Sequence, residues 1–363
     1  MRSLLLSFIG LSIMLMSNAQ QRQIREPGLQ DSLLLKDHKP QSIFEVPVNI
    51  PVKARYTAID MHMHAPREGG NLDSIAKAII KNMDEVNVQK TILFCGTGQS
   101  FDQMAAVFGK YADRIELWCG FDLTGYDKPG FGPAAIAELE RCVKMGAKGV
   151  GEISDKGSGL VRGDASSIHL DDPRMDPILE KLADLKLPIN VHAGDPIWMY
   201  EPMDEKNDLL YEAYYYRLDN KIDILGHADV LATLERAIQK HPRVTFIACH
   251  FMNLTYNLTQ LGKMFDKYPN LYADCSQREA YIASIPRFSQ QFMEKYAGRM
   301  VWGTDQGYSL PMYRNSFRIL ETNDEHFYQW DVSNTRWCLY GLGLSDATLK
   351  KLYRDNALKI LKK

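Results

Sequence analysis

Ile59-Asp60-Met61-His62-Met63-His64 closes an apolar run that begins at Tyr56. Side chains alternate along a strand, so His62 and His64 project to the same face. Two imidazoles on one face at a strand's end can hold a divalent metal from two directions. Taken alone, His-x-His is also what two surface histidines after a strand look like. What the chain places at the ends of its other strands decides between these.

From Ala54 onward strand and helix signals alternate. Strands are expected over residues 55–61, 89–95, 115–121, 148–153, 188–193, 243–249, 270–275 and 299–304, each short, apolar and rich in β-branched or aromatic residues. Helical patterns separate them at 72–86, 133–145, 173–185, 230–240, 255–267 and 279–296. Three more follow the last strand, near 311–321, 330–341 and 345–361, with Ser345 as a cap for the last. Eight strands alternating with helices is the pattern of an α/β chain closed into a (β/α)8 TIM-like barrel, here with a C-terminal helical extension. An open doubly wound sheet more often has fewer strands and gathers its chemistry at one crevice.

The composition is that of a globular protein: 363 residues, 45% hydrophobic and 24% charged, which allows one barrel of ordinary size. A net charge of -2 with no basic tract excludes nucleic-acid binding by electrostatics. Residues 1–19 read as a secretory signal peptide: Arg2 at the start, a mostly apolar stretch from Leu4 to Met16, and small residues Ser17 and Ala19 before the cleavage point. The apolar stretch is short for a membrane span. The expectation is therefore an exported protein, periplasmic or secreted, with no membrane association beyond export. Residues 20–53, punctuated by Pro27, Pro40, Pro47 and Pro51, form an N-terminal arm, and 54–363 the barrel. The six cysteines lie in apolar strand-like runs or helical patterns without Cys-x-x-Cys spacing, and read as free buried thiols. Nothing in the sequence indicates a macromolecular partner, and a homo-oligomer is compatible with it.

In a βα barrel the active site forms where strands end. Strand 1 ends in His62 and His64, strand 4 in Gly151-Glu152-Ile153, strand 5 in His192-Ala193-Gly194-Asp195, strand 6 in His250, strand 7 in Asp274 and strand 8 in Asp305. Four of the nine histidines thus fall at three strand ends behind apolar residues. His169 and His227 lie in long loops over the same face as weaker candidates, and His241, before Pro242, reads as a surface residue.

Asp60-Met61-His62-Met63-His64, Val191-His192-Ala193-Gly194-Asp195, Ala248-Cys249-His250 and Trp302-Gly303-Thr304-Asp305, in this order, resemble the amidohydrolase superfamily and within it the amidohydrolase-related branch. The resemblance covers residues 54–361. It implies a distorted barrel with a metal in its mouth: His62, His64 and His192 as metal ligands, Asp305 as ligand and proton acceptor, and His250 as second-metal ligand or substrate-polarising acid/base. Gly151-Glu152-Ile153 resembles the deoxyribonuclease-like members, where a glutamate takes the place of a bridging carboxylated lysine. Glu152 therefore either binds a second metal or lies beside a single one. Lys148 stands at the strand's start, away from the mouth.

Imidazole and carboxylate donors suit a divalent ion such as zinc, one or two per chain. Zinc acidifies its bound water from a pKa of 15.7 toward about 7. Asp305 is placed to accept a proton and His250 to meet a carbonyl or phosphoryl oxygen. Long loops at 155–171 and 194–228 supply Arg162 and Trp198 as candidate small-molecule contacts, and Arg278 is a third. Asp274 reads as a group orienting His250. The leading expectation is a metal-dependent hydrolase of an amide, ester or lactone. The alternative is a metal-dependent decarboxylase or hydratase of an unsaturated or aromatic carboxylic acid, an activity found in the same branch. A barrel that only binds a ligand is disfavoured by the intact set of five polar side chains.

Overall fold

Eight parallel strands carry the molecule: β1 Ala58–His64, β2 Val88–Phe94, β3 Ile115–Trp118, β4 Val150–Asp155, β5 Ile189–Ala193, β6 Phe246–Ala248, β7 Leu271–Asp274 and β8 Met300–Val301. The computed structural model describes residues 28–66, 70–161, 166–330, 332 and 334–362. The expected signal peptide lies outside the described residues.

The strands form two arcs, β1-β2-β3 and β4 through β8. Backbone hydrogen bonds span both seams. Cys119 bridges to Val150 and Gly151 N donates to Cys119 O at 2.8 Å, joining the β3 and β4 ends. Met61 N donates to Trp302 O at 2.9 Å, joining β1 to the end of β8. The result is the expected (β/α)8 TIM-like barrel, distorted where short strands leave ladder positions to loops.

Two apolar layers hold it. Ile59, Met61, Ile92, Phe94, Trp118, Ile247 and Val301 form one cluster, which Ala357 and Ile360 of the final helix join. That helix, Asn356–Leu361, belongs to the C-terminal extension. A larger cluster includes the buried stripes of the surrounding helices, for example Ala76, Ile79 and Met83 of the helix Leu72–Glu85. Removing such area from water, at about 25 cal/mol per Å², is the dominant favourable term. Five of the six cysteines are buried and all are free, as the apolar runs around them predict.

Several expected elements differ. A helix Gly98–Phe108 follows β2, which the polar Thr97-Gly98-Gln99-Ser100 start conceals. The helix expected over 279–296 is two, Glu279–Ile282 and Pro286–Lys295, because Pro286 cannot continue a helix and instead starts one. Over 330–341 no helix forms among the described residues. Leu339 instead exchanges both backbone hydrogen bonds with Phe327, and Trp337 Nε1 donates to Ala280 O. Residues 28–39 form a separate unit with a short helix, Leu29–Ser32. From Pro40 to Lys53 the chain has no regular element, and Asn49 is tied through its backbone N and Nδ2 to the Asp324 carboxylate, both at 2.8 Å.

Glu279 is buried, 7% exposed, where Trp302 Nε1 donates to Ser316 Oγ and Ser316 Oγ donates to Glu279 Oε1 at 2.7 Å. Burial pushes its carboxyl up to about 7, against the opposing Ser316 hydrogen bond. The native state therefore binds a proton that the unfolded chain releases near pH 4.5, so stability falls as pH rises toward 7 and stays low above it. Glu279→Gln removes this dependence. Its unfolding free energy relative to the native chain gains about 2–3 kcal/mol between pH 5 and pH 8. Chemical denaturation at the two pH values measures this, and parallel profiles for the two proteins would refute the assignment.

Candidate metal centre

The side chains singled out at the strand ends meet at one point. His62 Nε2 and His64 Nε2 lie 3.3 and 3.0 Å from Asp305 Oδ1. The alternation of β1 delivers both rings to one face, as their spacing requires. Asp305 Oδ2 lies 3.9 Å from His250 Nε2.

Glu152 occupies the centre. Its Oε1 is 2.8 Å from His192 Nδ1, 3.5 Å from His250 Nε2 and 3.6 Å from His62 Nε2, and its Oε2 is 3.4 Å from His64 Nε2. One carboxylate thus faces four imidazoles, two from β1, one from β5 and one two residues beyond β6. Lys148 is exposed and precedes β4 by two residues, at the far end of the strand.

Each buried imidazole has its other nitrogen fixed by the protein. His62 Nδ1 lies 3.0 Å from Asp274 Oδ2, His192 Nε2 lies 3.0 Å from Asp195 Oδ1, and His250 Nδ1 lies 2.9 Å from Ser276 O. This is the outer-layer pattern that sets the tautomer and aim of a metal-bound histidine. Asp274 differs in detail from its expected role. Its Oδ1 accepts from the backbone N of His250, while the ring it contacts is that of His62. Asp195, Asn190 and Ser276 belong to the site as well, and the sequence pattern gives them no role. Asp195 three residues beyond His192 was the legible signal, and Asn190, which donates to Asp274, carried none.

Close packing has its own sequence requirements. A Cβ on Gly303 would lie 2.7 Å from His62 Cβ, so the residue beside Thr304-Asp305 must be glycine for β1 and the end of β8 to approach. A Cβ on Gly151 would lie 2.8 Å from Phe94 and 2.9 Å from Asn190. His250 and Asp305 have φ of 59° and 62°, and the left-handed turn runs on through Asn253. Non-glycine residues held there cost about 1–2 kcal/mol each, and such conformations cluster at functional sites.

The electrostatics ask for a cation. Burial alone would raise the Glu152 carboxyl, yet the neighbouring His192, His250 and His64 hold it well below the ordinary range. Burial would likewise lower His192, but Glu152 and Asp195 push it up to about 9. His62 Nε2 is sealed from solvent and has no hydrogen-bond partner among the described residues, although two carboxylates lie within 3.6 Å. The donor atoms of His62, His64 and Asp305, and those of His62, Glu152, Cys249 and His250, lie within 4.8 Å of one another in each group. These residues fit divalent metal. Cys249 is the weakest member: burial pushes its thiol well up, and its Sγ donates to Asn190 Oδ1.

The centre lines a cavity of about 510 Å³ with Arg278, Tyr281 and Glu212 in its wall. Trp198 does not line it. It packs behind the wall against Tyr281 and Trp337, and its Nε1 donates to Asp208. Arg162 lies outside the described residues. His169 pairs with Asp155 at 2.6 Å and His227 is buried between Tyr200 and Tyr256, so both anchor loops. His241 is buried rather than exposed, with ring nitrogens facing Glu180 and Asp176.

A (β/α)8 barrel whose strand ends converge on a histidine–carboxylate cluster defines a class, and the comparisons agree. The Amidohydrolase family model matches residues 59–363, and the chain belongs to that family. It is an enzyme of the amidohydrolase superfamily, which uses divalent metals. Similar solved structures include a protein from Staphylococcus aureus assigned as an amidohydrolase (18% identity, TM-score 0.54, covering 84% of this chain and 99% of that one). Another is 5-carboxyvanillate decarboxylase from Sphingomonas paucimobilis (13%, 0.51, 86% and 99%). A third is 5-carboxyvanillate decarboxylase from Novosphingobium aromaticivorans, complexed with manganese and 4-hydroxy-3-methoxy-5-nitrobenzoic acid (18%, 0.50, 87% and 100%). At these identities the likeness is one of fold. No curated protein matches the chain.

Proposed function

We propose that this protein is an exported, zinc-dependent hydrolase that cleaves an amide, ester or lactone in a small substrate. The observation that supports it best is the position of Glu152, one carboxylate facing four imidazoles. In this reading His62, His64 and Asp305 would hold one ion, and His250 and Glu152 a second together with His192, whose Nδ1 lies 2.8 Å from Glu152 although it stands outside the two groups of converging donor atoms. When bound, such ions supply Lewis acidity and a water acidified toward neutrality.

The chain's own residues do the rest. Asp305 Oδ1 is engaged with His62 and His64, while Oδ2 faces His250 across 3.9 Å, the arrangement of a carboxylate that can take a proton and pass it to a leaving group. Burial lowers the His250 imidazole below its ordinary range. Asp274 and Asp195 keep His62 and His192 aimed. The barrel wall excludes water from one side of the cluster. The leader at residues 1–19 directs the protein to the periplasm or beyond.

Elemental analysis of the purified protein tests this directly. The expected result is two transition-metal ions per chain, activity on carboxylated esters, lactones or amides that is lost on chelation, and recovery with zinc. If no transition metal co-purifies or restores activity, the proposal fails. Release of carbon dioxide without hydrolysis, the activity named for the two decarboxylases, would replace it with the lyase reading.

A further inference from the structure

The geometry points to Arg278 as the residue that receives a carboxylate on the non-reacting end of the substrate, so that the site takes a compact carboxylic acid carrying the hydrolysable bond. The inference rests on the hydrolase reading only for which end of the substrate reacts.

Arg278 is 6% exposed and stands in the wall of the cavity that contains Glu152 and Asp305. A guanidinium is always charged and offers five donors in a planar fork that matches a carboxylate. Among the described residues little uses that fork. Nε donates to Asn253 Oδ1 at a long 3.4 Å, and Nη1 to the O and Oε1 of Gln277 at 3.4 and 3.2 Å. All three acceptors are neutral amide oxygens. The face of the group rests on the Tyr281 ring, 5.2 Å from its centre.

The carboxylates near enough to feel this charge are committed elsewhere. Asp195 pairs with Lys156 and His192, Glu212 accepts from the Tyr281 hydroxyl at 2.8 Å, and Asp305 faces His62 and His64. Among the described residues none forms an ion pair with Arg278. A buried cation without an anion is costly, and proteins that keep one usually supply its partner. Here the partner comes from the cavity. Tyr281, Met199, Met312 and Tyr216 also line the cavity and give it apolar surface, suited to an aromatic or aliphatic body between the carboxylate and the scissile bond. A cavity of about 510 Å³ accommodates a molecule of that size.

The test is calorimetric and needs no turnover. Benzoate and phenylacetate, with their neutral carboxamides, are titrated into metal-loaded wild type, chelator-treated wild type and Arg278→Met. The acids are expected to bind both forms of the wild type with affinities within about threefold, and the carboxamides at least tenfold more weakly, the scale of one charge-assisted hydrogen bond. Arg278→Met is expected to lose at least about tenfold in acid affinity, and Arg278→Lys to keep part of it, since it retains charge without the fork. Acid binding that disappears on chelation but survives in Arg278→Met places the carboxylate on the metal centre and overturns the proposal. Equal affinity for acid and carboxamide overturns it too, and that comparison uses only the wild type, so a misfolded variant does not shield the idea. Should no metal be bound at all, the hydrolase reading falls while the chelated wild type still decides the role of Arg278.

Discussion

Replacing Asp305 by asparagine lowers kcat by about 10²–10⁴-fold while metal content stays at the wild-type level, the cost of removing a positioned proton acceptor. The two oxygens of Asp305 face different ways. Oδ1 lies 3.3 and 3.0 Å from His62 and His64, and Oδ2 looks toward His250. Asparagine keeps an oxygen for the first direction and loses the basicity of the second. It also keeps the fold, because Asp305 has a φ of 62° and asparagine tolerates the left-handed region as aspartate does. Alanine at this position would add backbone strain to the loss of chemistry, so it is the poorer test. Steady-state kinetics on a substrate the wild type turns over, paired with elemental analysis of both proteins, gives the answer. Full activity in Asp305→Asn would remove Asp305 from proton transfer.

The sequence was legible where local periodicity carries the information. His62 and His64 share a face because a strand alternates, and Asp305 meets them because eight strands in order bring the end of β8 beside β1. Strand order alone points from Asp274 to His250, whereas the ring that Asp274 contacts is that of His62 and His250 meets it only through its backbone N, because the choice between the two rings depends on the tilt of neighbouring strands, a tertiary property. The same limit hid His241, whose ring nitrogens face Asp176 and Glu180 on an earlier helix, Asp176–Leu185, some sixty residues upstream. Trp198 looked like a substrate contact because aromatic residues in long loops often are. The structure instead packs it behind Tyr281, one layer from the cavity. Residues 330–341 looked helical from their apolar spacing, but pairing of Leu339 with Phe327 satisfies the backbone differently, and tertiary pairing outweighs a weak local propensity.

Glu152→Gln is expected to lower the metal content from two ions per chain to one and to reduce hydrolysis by at least about 10²-fold, the scale of removing one preorganised electrostatic partner. Glutamine preserves the volume beside the tight Gly151 contact with Phe94 and Asn190, so the fold is retained. What it removes is one negative charge at the centre of four imidazoles. The His62–His64–Asp305 group keeps its own carboxylate and its ion. His192 and His250 are left with neutral donors only, and His192 remains held from behind by Asp195, so the ion this reading assigns to them is the one lost. The competing arrangement makes a different prediction: if Glu152 only orients His192 and His250 beside a single ion, both proteins bind one metal and the variant loses little of it. Elemental analysis separates the two without any knowledge of the substrate. Its outcome also bears on the reaction, because two ions flanking one carboxylate suit attack by an activated water, whereas one ion beside a carboxylate-binding arginine would favour the lyase reading.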